Sequence, residues 1–234
     1  MNWWFFELLR NLLNFSSQDL IDLLYFLPIF LITITIHECA HGYIAYQMGD
    51  PTAKNMGRLS LNPLKHMDPI GFIMLMLLGF GWAKPVMINP RNFRNPKKGM
   101  ALSALAGPAS NILMAIFGAF ALGLINYFYF NFAGEVSNFV EMARYFFTYF
   151  MTLNVYFAVF NLIPVPPLDG SRLVSYFLPP RLGYYYNYIE RYSFLVLILL
   201  LYTGILRIPL QFFSGLIVDG IVHVLNLLPF LLLK

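Results

Sequence analysis

The sequence predicts an all-α polytopic membrane protein of about five transmembrane helices, with an N-terminal interfacial helix, a re-entrant segment and a small β element. Composition is the first reason: of 234 residues, 59% are hydrophobic, 18% aromatic and only 11% charged, far from the balance of a soluble domain. The second is that the apolar residues gather into runs long enough to cross a bilayer. The third is that the charged residues gather between those runs. The net charge of +4 therefore reads as membrane orientation rather than affinity for nucleic acid, and no nucleic-acid partner is expected. Repeats, low-complexity tracts and long polar linkers are absent from the sequence, so a single membrane-embedded domain over 1–234 is expected.

Residues 3–14 are apolar but too short to cross, and they carry two Trp beside a polar stripe, which suits an interfacial helix. Trp3 to Phe6 are aromatic and Glu7 precedes Arg10, unlike the basic start of a signal peptide, so the N-terminus is expected to be retained. Ser16, Ser17, Gln18 and Asp19 offer capping side chains before the first span, from about Leu20 to Met48. Residues 49–100 hold eight Lys or Arg against Asp50 and Asp68, which places them on the cytoplasmic side. Within them, 70–82 is an apolar run too short to cross, read as re-entrant. Residues 57–62 and 83–89 read as short strands, the former alternating as a half-buried strand does. An unwound substrate segment is expected to pair with such an edge.

Further spans are expected at about 100–128, 145–164, 191–206 and 208–233. The connection 129–143 carries Glu135 and Glu141, whereas 165–191 carries Arg172, Arg181 and Arg191. That alternation leaves the N-terminus external and Lys234 cytoplasmic, with Arg207 on the outer side against the rule.

His37-Glu38-Cys39-Ala40-His41 lies inside the first span. Two His four residues apart share one helical face and can hold a single Zn²⁺, while Glu38 can serve as the base of a metal-assisted hydrolysis. At about 1.5 Å per residue, the stretch from Leu23 to Ile36 carries His37 roughly 21 Å into a hydrocarbon core about 30 Å thick. Each ionisable residue there costs about 2.5 to 3.5 kcal/mol on insertion scales, which argues against chance. The only cysteine, Cys39, turns away from the His face and reads as a packing residue, so neither an intramolecular disulfide nor a cysteine-based zinc cluster is expected. The third ligand is expected at the end of the 145–164 span. Asn161 to Gly170 contains Pro164, Pro166 and Pro167 and cannot continue a helix, and non-helical backbone at that depth belongs beside a buried site. Asp169 ends it, on the same side of the membrane as His37 and His41.

These segments resemble the site-2 protease family of intramembrane zinc metalloproteases. Besides His37-Glu38-x-x-His41-Gly42 and Asn161 to Gly170, the resemblance takes in Gly57 to Pro63, His66-x-Asp68-Pro69-x-Gly71 and Gly107-Pro108-x-x-Asn111, covering about residues 30–175. It implies one catalytic Zn²⁺ per chain bound by His37, His41 and Asp169, Glu38 as general base, and Asn161 as a stabiliser of the oxyanion. It also implies hydrolysis of a peptide bond in or near a transmembrane segment of a membrane-protein substrate, releasing a cytoplasmic fragment, commonly after an earlier cut by another protease. The chain has room for neither the PDZ domain nor the nucleotide-sensing repeats of larger relatives, so the minimal form is expected, in the plasma membrane of a prokaryote.

From the residues alone, Asn161 divides evenly between bonding the broken helix backbone and donating to an oxyanion. Asn111 reads as an interhelical hydrogen-bonding and packing residue, with Gly107 allowing close approach. His66 and Asp68 read as a polar turn, with a bond to a zinc ligand as the alternative. Asp219 and His223, spaced i, i+4, read as a mutually satisfied pair. Tyr184 to Tyr188 marks a membrane interface. The alternative function is a membrane metal transporter or carrier without hydrolysis, which would not need Glu38. A protease with a downstream Glu ligand is the other rival, with Glu135, Glu141 and Glu190 as candidates.

Overall fold

The computed structural model describes residues 17–78, 81–132 and 138–227, and is mostly helical, with no sheet among them. The interfacial helix expected at 3–14 lies outside the described residues. Helix α1 spans Ser17–Gln47, where the first apolar run predicts it. It ends at Gly49, whose φ of 111° no other residue adopts cheaply.

Between α1 and the next long helix come two short ones, α2 (Thr52–Asn55) and α3 (Pro69–Leu78). Helix α3 falls on the run expected to be re-entrant, and Asp68 caps it by accepting from the Gly71 N–H at 2.8 Å. The expected β element reduces to one antiparallel bridge, Met67 with Ala83. The chemistry of the segments explains this. Gly57 turns the chain at φ 65°, Asn62 caps a 3₁₀ turn, and Pro85 has no N–H to donate. The donors of 83–89 go elsewhere: Lys84 to the His66 carbonyl at 2.8 Å, Val86 to Glu38 at 2.8 Å and Asn89 to Asp50 at 2.7 Å. Three N–H groups of this segment are therefore already engaged within the chain.

Asp50 is fully buried and ties this segment to the end of α1. Besides Asn89, its carboxylate accepts from the Asn92 amide at 2.8 Å and from the Thr52 hydroxyl and N–H. Burial pushes its carboxyl up, but these bonds outweigh burial and hold it below the ordinary value.

Helix α4 (Pro96–Phe132) and helix α5 (Asn138–Leu162) form the most extensive packed pair, with α1 against α4 next. Ala115 and Ala119 of α4 meet Met151, Val155 and Val159 of α5 in the main core cluster. Small residues let the helices close: a Cβ on Gly118 would sit 2.8 Å from the Phe150 ring. Beyond α5 come α6 (Asp169–Phe177), α7 (Pro180–Ile189), α8 (Ser193–Thr203) and α9 (Arg207–Asn226). Leu225 of α9 completes the core cluster.

Among the described residues, three helices are long and apolar enough to cross a membrane: Ile21–Gln47, Pro96–Tyr129 and Arg207–Asn226. With the family established below, this makes the chain a multi-pass integral membrane protein. The run expected to cross at 191–206 forms α8, which has 11 residues and reaches about 16 Å. The Asp219–His223 pair is not formed: both side chains are exposed, and no hydrogen bond or ion pair joins them.

Candidate metal centre

Helix α1 presents His37 and His41 on one face, one turn apart. Both are buried, at 4% and 7% exposure, and their Nε2 atoms lie 2.9 Å apart. Asp169, at the start of α6, places Oδ2 3.2 Å from each of them. It arrives there because α5 stops at Leu162 and the proline-rich chain turns before α6 begins. Gly170 makes the turn possible, since a Cβ there would lie 2.1 Å from the Leu162 carbonyl oxygen. Tyr186 of α7 holds the same turn from outside by donating to the Pro164 carbonyl at 2.8 Å.

The outer nitrogens of the two rings decide whether this trio fits a metal ion. His41 Nδ1 lies 2.7 Å from the Ser103 carbonyl oxygen, which can only accept, so this nitrogen carries the proton. His37 Nδ1 meets Asn111 Oδ1 at 2.6 Å. A neutral imidazole protonated at Nδ1 has a bare lone pair at Nε2. Two such lone pairs and the carboxylate oxygen of Asp169 then converge, and Asp169 Oδ2 is buried without a hydrogen-bond donor. Three mutually repelling acceptors in one buried space call for a cation among them. Two imidazole nitrogens and one carboxylate oxygen are the donor set of catalytic zinc sites, with the outer hydrogen bonds orienting the rings. His37, His41 and Asp169 also form the one group of three potential metal ligands found among the described residues.

Helix α4 provides the room. A Cβ on Gly107 would lie 2.4 Å from His41 Nε2 and 2.6 Å from His37 Cε1, so this glycine clears space for both imidazoles rather than merely for a helix contact. The Ser103 hydroxyl also donates to the His41 carbonyl at 3.0 Å, so Ser103 grips that residue at both ends.

Glu38, between the two histidines in sequence, reaches residues 83–89. Its Oε2 accepts the Val86 N–H at 2.8 Å. That backbone is pinned in turn by Arg58, buried to 7% exposure, which donates to the carbonyls of Lys65, Lys84 and Pro85. The candidate base is thus aimed by a loop.

Asn161 lies one turn before the proline break and donates to the Phe157 carbonyl at 2.9 Å, which is the backbone-bonding role. Asn111 does more than pack: it touches His37. His66 is fully buried and engages the Ser60 carbonyl at 2.7 Å, and Cys39 donates to the same carbonyl at 3.0 Å. Both belong to the support of the 57–66 segment. Sequence reasoning did not find Ser103 or Val86, because they act through a backbone carbonyl and a backbone N–H, which any residue type supplies. It did not find Arg58 individually, one of several basic residues in that segment.

The sequence profile of Peptidase family M50 matches residues 25–204. "Putative zinc metalloprotease YwhC" of Bacillus subtilis is 40% identical over 173 residues, which cover 74% of this chain and 78% of that protein. "Putative zinc metalloprotease Rip2" of Mycolicibacterium smegmatis is 27% identical over 182 residues, covering 76% of this chain and 66% of the relative. Its counterpart in Mycobacterium tuberculosis strain H37Rv is 27% identical over 157 residues, covering 64% and 56%. No solved structure matches the chain. With a family profile spanning most of its length and a buried donor set suited to zinc, this chain belongs to Peptidase family M50, the site-2 protease family, and is an intramembrane zinc metalloprotease.

Proposed function

We propose that His37, His41 and Asp169 hold one Zn²⁺ and that Glu38 is the general base for hydrolysis of a peptide bond in or near a transmembrane segment of another membrane protein. The observation that carries this reading is the convergence of two imidazole nitrogens and one carboxylate oxygen, each 2.9 to 3.2 Å from the others, beside a carboxylate on the same helix as the histidines. Zinc bound there supplies Lewis acidity, polarising a peptide carbonyl and bringing the pKa of a water to about 7. Glu38 takes the proton of the attacking water and returns it to the leaving amine. The Val86 N–H occupies one carboxylate oxygen and leaves the other to carry that proton. Asn161 commits one amide hydrogen to Phe157 and directs the second to the developing oxyanion.

The same reading treats 1–234 as one membrane-embedded domain. It counts α5 and the 191–206 run with the three apolar helices to give five crossings, with α3 re-entrant, an interfacial helix at 3–14 and a short β contact beside the site. The basic 49–100 segment puts the site toward the cytoplasmic face of a prokaryotic plasma membrane. The test is zinc content and cleavage of a tagged single-span substrate by wild type and Glu38→Gln. Zinc is expected to be retained and cleavage lost. Cleavage retained in Glu38→Gln would remove the general base, and gradient-driven metal uptake indifferent to Glu38 would replace the protease reading with a carrier.

A further inference from the structure

We propose that Asn154 of α5 is a positioning residue for the metal centre, acting through Asn111 to fix the tautomer and orientation of His37. Asn154 has 0% exposure on a helix face otherwise made of Phe150, Met151, Val155, Ala158 and Val159. A fully buried amide in such surroundings is retained only with its hydrogen bonds made. Its Nδ2 donates to the Phe150 carbonyl at 2.9 Å. Its Oδ1 accepts from Asn111 Nδ2 at 3.0 Å. Asn111, also at 0% exposure, turns its own Oδ1 to His37 Nδ1 at 2.6 Å.

Every link in this chain has only one sense. A carbonyl can only accept, so Asn154 must offer its nitrogen to Phe150 and its oxygen to Asn111. An amide oxygen can only accept, so Asn111 must offer its nitrogen to Asn154 and its oxygen to His37. His37 must then donate from Nδ1, which leaves the Nε2 lone pair aimed at His41 and Asp169. Flipping either amide would oppose like groups in a dry interior, where an unmade hydrogen bond is most costly. The direction of the whole relay is therefore set at a helix carbonyl two side chains away from the imidazole. His41 needs no relay, because the Ser103 carbonyl fixes it directly.

This inference rests on the reading of His37 as a zinc ligand, so the experiment separates the two. Zinc affinity of the full-length protein in detergent is measured by competition with a chromophoric chelator for wild type, His37→Ala, Asn111→Ala, Asn154→Ala and Asn111→Ala/Asn154→Ala. His37→Ala binding zinc as tightly as wild type would overturn the ligand reading itself. With that reading intact, Asn154→Ala is expected to weaken zinc about 10- to 100-fold, and to weaken it no further once Asn111 is Ala. An undiminished affinity in Asn154→Ala, or an equal loss in both backgrounds, would overturn the relay, because a residue that merely fills the core has no reason to act through Asn111. Should Asn154→Ala fail to fold, ¹⁵N spectra of histidine-labelled, zinc-loaded wild type decide the matter. His37 is expected to carry a slowly exchanging proton on Nδ1, and an unprotonated or metal-bound Nδ1 would overturn the relay.

Discussion

The two halves of the site are built differently. The metal half is made of side chains on packed helices: His37 and His41 on α1, their supports on α4, and Asp169 at the start of α6. The base half is made of loop backbone, with Glu38 restrained by the Val86 N–H and that strand of chain pinned by Arg58 and Asp50. Helix packing fixes positions through many small contacts, whereas the loop depends on a few hydrogen bonds. Metal binding and base positioning should therefore fail separately.

The largest expected effect comes from the helix half. Gly107→Ala would drive a methyl into both imidazoles, and zinc affinity and cleavage are expected to fall together, each by about 100-fold or more. Zinc titration and the substrate assay on the same preparation check it, and a variant with full zinc affinity would show that α4 yields where packed helices should not. An intermediate effect is expected from the loop half. Arg58→Ala leaves three carbonyls without their donor and frees the backbone beside Glu38, so cleavage should fall about 10- to 100-fold while zinc content stays at the wild-type level. Loss of zinc in this variant would erase the distinction between the halves.

The smallest effect should come from the far end of the loop. Asp50→Asn is expected to lower stability at pH 7 by about 1 to 3 kcal/mol, read as a shift in thermal unfolding in detergent. Its folded-state carboxyl lies below the unfolded value of about 3.9. The contribution of the native carboxylate is thus present above that value and lost as the pH falls through the folded one. The gap between variant and wild type should close below about pH 4. A gap independent of pH would mean that shape rather than charge holds Asp50 in place.

What the sequence made legible follows the same division. Helical periodicity placed His37 and His41 on one face, and three prolines announced the break that delivers Asp169. The register of α4 against α1 has no such signature, so Asn111 read as packing until the structure placed it against His37. Residues 57–62, which alternate, and 83–89 both read as strands but form none, because sequence pattern records which side chains are buried and not where the N–H groups go. Glu38 and Asp50 take two of those donors and the His66 carbonyl a third. At 191–206 the apolar run is longer than the helix it forms, since a run of apolar residues says nothing of where the chain turns. Asp219 and His223 were read as partners from spacing alone, and i, i+4 spacing permits a contact without requiring one.

The break between Leu162 and Asp169 has a mechanical consequence. Two of the three candidate ligands belong to a long, rigid rod and the third to a short helix reached across a turn, so coordination would clasp together parts of the chain that are far apart in sequence. Metal loading then acts like a removable cross-link as well as a reagent.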